Sequence, residues 1–101
     1  MPLFVLMFRY VEDAALVSEH RPEHREYLQT FLERGELLAA GPLGEPGPAG
    51  GLLLLRVESA DRVEEILKGD PFYTQGVITE HMVQEWTLAF GSELFSSAQS
   101  Q

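Results

Sequence analysis

"RPEHREYLQTFLERGELLAAGPL", Arg21 to Leu43, holds a helix, a stop and a strand in succession. Tyr27, Leu28, Phe31 and Leu32 recur at helical spacing. Arg34 stands in the last turn, and Gly35 is a natural left-handed terminator. Two starts fit: Ser18 as the cap, or Pro22 at the first helical position. "ELLAAGPL" (Glu36–Leu43) then reads as a strand, stopped by Pro42 and the loop "GEPGPAGG".

Upstream, "PLFVLMFRY" (Pro2–Tyr10) reads as a strand whose alternate residues are apolar on both faces. Downstream, "LLLLRVE" (Leu52–Glu58) repeats that pattern as far as Arg56. Ser59 caps a second helix with Val63, Ile66 and Leu67 on one side, ended by Gly69. "DPFYTQG" is a turn or short helical piece, and "VITEHMVQEWTLAF" (Val77–Phe90) a long final strand.

The order β-α-β-β-α-β with right-handed crossovers specifies an α+β, ferredoxin-like fold. Its four-stranded antiparallel sheet carries both helices on one face. Two helices cannot also cover the other face, yet the first and third strands offer apolar residues to it. A second copy packed face to face is the expected cover, giving a dimeric α+β barrel and a homodimer. Residues 1–90 form the expected domain, and 91–101 an appended mobile tail from which Leu94 and Phe95 could reach a partner.

The chain has 101 residues, 45% of them apolar, enough for one domain with its own core. Its net charge of −9 repels phosphate backbones and anionic membranes, so neither nucleic acid nor membrane is an expected partner. The absence of cysteine removes disulfides, thiolate metal sites and thiol nucleophiles together. The apolar start lacks a basic flank and a cleavage site, so a cytoplasmic location is expected.

"RPEHREYL" in an early helix, "GELLAAGPL", a short glycine-rich loop and "DPFYTQGV" before the last strand together resemble the YciI-like (YCII-related) family over about residues 1–88. The resemblance implies a ferredoxin-like dimeric barrel and an active site built from a histidine and an aspartate. By motif, these are His24 in "R-P-x-H" and Asp70 in "D-P-F/Y".

The residues themselves allow two readings of that pair. His24 falls on the inward stripe of its helix, where a neutral ring can take a proton from a bound substrate. A helix start at Pro22 would put it in the first turn, where the dipole and burial disfavour imidazolium while Asp70 favours it. Alternatively, His24 is a core histidine and Asp70 a cap for the turn at Pro71; one carboxylate can do both jobs.

Around the pair, Arg9 is a candidate for a substrate carboxylate. Gly41 and Pro42 are candidates for close backbone approach, and Phe72 and Tyr73 for pocket walls. His20 and His24 have the i, i+4 spacing of metal ligands, with His81 or a carboxylate as a possible third. Arg21 and Arg25 beside them oppose a cation, so no metal is expected. Haem would need a basic cluster for its propionates, and none is evident, so no cofactor is expected. Trp86 is read as core or dimer interface.

The expected function is therefore cofactor-independent proton transfer on a small organic molecule, of isomerase or lyase type, with His24 as base and Asp70 as its orienter. The alternative is a non-catalytic module that binds a small ligand or a partner.

Overall fold

The computed structural model describes residues 1–95. Four strands, β1 (Leu3–Tyr10), β2 (Leu37–Leu43), β3 (Gly50–Arg56) and β4 (Ile78–Glu85), form one sheet in the order β2-β3-β1-β4. All three pairings are antiparallel. Helices α1 (Ala14–Arg34), α2 (Ala60–Lys68) and the short α3 (Pro71–Thr74) complete the domain, followed by a single 3-10 turn at Ser92–Leu94. This is the ferredoxin-like arrangement expected from the element order.

Alternation along β1 divides the sheet. Phe4, Leu6 and Phe8 are buried under the helices, where they meet Leu53 and Leu55 of β3 and Leu28 and Phe31 of α1 in one core. Burying a side chain of this size contributes about 1.5–3 kcal/mol. Leu3, Val5 and Met7 point the other way and are only half-buried. Their neighbours Leu52 and Met82 are exposed, so this second face stays apolar and partly open.

Several boundaries differ from expectation, β3 among them, which runs Gly50–Arg56 rather than Leu52–Glu58. α1 begins at Ala14, because the Asp13 side chain accepts the Leu16 N–H at 3.1 Å and caps the helix there. Ser18 and Pro22 are therefore interior, and the bond Pro22 cannot donate leaves a carbonyl at the exposed residue 18. β2 ends at Leu43 as expected, with Pro42 inside it, on an edge strand where a missing N–H does no harm. β4 ends at Glu85 rather than Phe90, since its partner β1 runs out: Phe4 faces Glu85, and Trp86 N–H makes a last bond to the Leu3 carbonyl.

Trp86 is not core; it is 47% exposed. In the segment expected as a tail, the Phe95 carbonyl accepts from Arg56 Nη1 at 3.3 Å. Residues 96–101 lie outside the described residues.

Candidate active site

α1 and α3 carry the two halves of the site. At the end of α2, Gly69 lies against the Tyr27 hydroxyl so closely that a Cβ would collide with it, and that hydroxyl donates to the Ile66 carbonyl at 2.8 Å. α1 and the end of α2 are thus held together one residue before Asp70. Pro71 opens α3, and Asp70 caps it, its Oδ1 accepting the Phe72 N–H at 2.9 Å. Burial pushes the Tyr27 hydroxyl above its ordinary range, with the Asp70 charge adding to the rise.

His24 reaches this carboxylate from α1. Its Nδ1 lies 2.9 Å from Oδ1 and 2.8 Å from Oδ2 of Asp70, with both residues buried. A carboxylate only accepts, so Nδ1 carries the proton and donates; in the neutral form of the ring the lone pair then lies on Nε2. The ring is stacked on Phe72, centroids 3.9 Å apart and planes within 5°, and meets Phe8 edge-on at 6.2 Å. Its orientation is fixed by Asp70 at Nδ1 and by Phe72 against one face.

Nε2 has no hydrogen-bond partner among the described residues. Nor is it sealed, because Arg56 Nε is the one buried, unpartnered side-chain polar atom there. His24 lines a cleft of about 460 Å³ between α1 and the β2–β3 side of the sheet. Phe8, Leu28, Leu53 and Pro42 line its apolar part, while Tyr10, Arg21 and Arg25 bring polar groups. Gly51 makes room for the Phe8 ring: a Cβ there would come 2.5 Å from it.

His24 and Asp70 are in contact, Gly41 and Pro42 line the cleft, and Phe72 is the buried platform under the imidazole. Arg9 lies elsewhere. It shares sheet parity with Val5 and Met7, lines a different hollow with Glu80 and Met82, and donates to the Pro48 carbonyl at 3.2 Å. Tyr73 is 38% exposed and does not line the cleft.

His24 is not in the first helical turn, since α1 starts ten residues earlier at Ala14, and the dipole argument drops out. The three histidines turn to different carboxylates: His20 to Glu19 and Glu23, His24 to Asp70, His81 to Glu64. Among the described residues, no group of three or more acids and histidines is arranged to hold a metal ion. No described helix is long and apolar enough to cross a membrane.

Tyr10, Arg21 and Arg25 were not singled out as site residues from sequence, although a signal was there. Tyr10 continues the Phe4, Leu6, Phe8 alternation, and Arg21, His24, Arg25 and Leu28 share one helical stripe. Burial pushes the Tyr10 hydroxyl above its ordinary range. The Arg21 charge opposes that rise, the Asp70 charge adds to it, and Arg25 and an Arg21 hydrogen bond oppose it.

The model of the YCII-related domain matches residues 3–87. The chain belongs to the YCII-related family. No curated protein matches it.

Among solved structures, 5-chloro-2-hydroxyhydroquinone dehydrochlorinase (TftG) from Burkholderia phenoliruptrix AC1100, in complex with 2,5-dihydroxybenzoquinone, superposes with a TM-score of 0.74 at 22% identity. The match covers 84% of this chain and 93% of that one. An antibiotic biosynthesis monooxygenase matches with a TM-score of 0.57 at 9% identity, over 88% of this chain and 99% of the other. Rv0793 from Mycobacterium tuberculosis matches at 0.52 and 14% identity, over 91% and 99%. At such identities the likeness is one of fold, the ferredoxin-like α+β fold.

Proposed function

We propose that this YCII-related protein is a cofactor-independent enzyme that moves a proton on a small organic substrate, by isomerase- or lyase-type chemistry. One observation carries the reading: Asp70 holds Nδ1 of His24 and His24 lines the cleft, which leaves Nε2 as the ring nitrogen for a substrate proton. The cleft volume of about 460 Å³ suits a single-ring metabolite.

Nε2 takes a proton from a substrate C–H or O–H, and the bonding electron pair stays on the substrate as an enolate or phenolate. The imidazolium formed is paired with the Asp70 carboxylate already in contact with it. Return of the proton to another substrate atom completes an isomerisation. Expulsion of a leaving group by the same electron pair, with the proton passed to solvent, completes an elimination. A relative in fold named as a dehydrochlorinase supports the second course.

The assembly proposed is a homodimer joined through the face that carries Val5, Met7, Leu52 and Met82, with residues 1–90 as the domain and 91–101 as its extension. Incubating the protein with a panel of small carbon acids in D₂O, followed by proton NMR, tests the activity. The wild type should exchange or convert at least one of them, and His24→Gln should lose about 10²–10⁴ of that rate. Equal turnover by the His24→Gln variant ends the proposal.

A further inference from the structure

In a chain with 16 acidic side chains, none lines the cleft in front of His24, whereas two of the six arginines do. Arg21 and Arg25 stand on the same stripe of α1 as His24, one on each side of it in sequence. Neither has a carboxylate within ion-pair distance among the described residues. Arg34 and Arg62, outside the cleft, both reach Glu36. The cleft is therefore a local cationic site in a protein of net charge −9, a charge that would otherwise repel anions.

We propose that the cleft takes a small planar organic anion. Its oxyanion sits between Arg21 and Arg25 with Tyr10 as a further donor, and its ring lies along Phe8 and Pro42 beside Nε2. This rests on the reading of the His24 cleft as a substrate site and names the class of molecule that enters it. Two guanidiniums bind a delocalised oxyanion through charge-assisted hydrogen bonds that a neutral amide or alcohol cannot match. A tyrosine hydroxyl is protonated at neutral pH, so Tyr10 can donate. The same cations stabilise the extra negative charge that appears when Nε2 removes a proton from an anion already bound.

The shared chemistry is an oxyanion on a flat carbon skeleton, either a carboxylate or a phenolate. The test is a titration of ¹⁵N-labelled protein with benzoate, with 2,4-dinitrophenolate, and with benzamide as the neutral isostere of benzoate. At least one anion should shift the His24 ring signals and bind about tenfold or more tightly than benzamide, a difference of about 1.4 kcal/mol. The better of the two anions identifies the head group.

Arg25→Gln, an exposed position, should weaken that anion about tenfold while the amide spectrum stays that of a folded protein. Equal binding of benzoate and benzamide with no response to dinitrophenolate, or anion binding unchanged in Arg25→Gln, overturns the proposal. The readout is independent of catalysis: anion binding retained in an inactive His24→Gln variant supports both readings. Turnover of neutral carbon acids without anion binding would sink this inference alone.

Discussion

Replacing Asp70 by asparagine changes one oxygen into an amide nitrogen and should reverse the His24 ring. The Phe72 N–H needs an acceptor, so the amide oxygen stays where Oδ1 now lies, 2.9 Å away. That turns the NH₂ toward Nδ1, where an N–H would face an N–H. Nδ1–H would still lie 2.9 Å from the oxygen at the Oδ1 position, but the amide N–H turned toward Nδ1 would then be buried without an acceptor. That costs about 1–3 kcal/mol, so the proton moves to Nε2 and Nδ1 accepts from the amide. The same energy sets the tautomer ratio, about 5- to 150-fold in favour of Nε2–H. The atom facing the cleft then has no lone pair to offer. A comparable tautomer error in a Ser-His-Asp site lowers turnover by about 10⁴, and we expect about 10³–10⁴ here. Stability should change little, because Phe72 stays bonded and the volume is unchanged. Long-range ¹H–¹⁵N spectra read the tautomer directly, and with only three histidines in the chain the assignment is tractable. An Asp70→Asn protein that still carries its proton on Nδ1, or a wild type that carries it on Nε2, would refute the reasoning.

Phe72→Ala removes the fully buried ring on which His24 stacks and should cost about 3–5 kcal/mol in urea unfolding; a loss under about 1 kcal/mol would show that the site collapses freely. Glu36 accepts from Arg62 Nε and Nη2 at 2.9 Å each, and that hydrogen bonding holds its carboxyl below the ordinary 4.5, against the opposing effect of burial. The pair's contribution is therefore present above pH 4.5 and fades as pH falls below it. Glu36→Gln should accordingly cost about 0.5–1 kcal/mol at pH 7 and less at pH 3, and a pH-independent loss would contradict this. Leu52 is exposed on the open sheet face, opposite Met7 and Gly41. Sedimentation at low micromolar concentration should show two chains for the wild type and one for Leu52→Glu, whereas a wild-type monomer would remove the proposed assembly.

The element order was legible because each helix carries its own stop and each strand a run of aliphatic residues, and right-handed crossovers leave few ways to join them. The start of α1 was not. A side-chain cap at Asp13 and tertiary burial of Val17 outweigh the local preference of Pro22 for a first turn. His24 and Asp70 came from motif. Their contact, across 46 residues, depends on Gly69 allowing the end of α2 to close on Tyr27, a packing detail that no local pattern reports. Arg9 was a candidate because of its charge, yet residue parity along β1 sends it to the opposite face from Phe8. Arg21 and Arg25 were noted only as opposing a metal, because their common outlook on the cleft requires β2 to be placed beside α1.

A crystal structure of the protein with bound benzoate tests most directly whether one cleft serves both the imidazole and the guanidiniums. The account predicts the carboxylate between Arg21 and Arg25, with ring atoms about 3–3.5 Å from Nε2 of His24. A ligand bound elsewhere, or an Nε2 turned into a hydrogen bond with the protein itself, would contradict it.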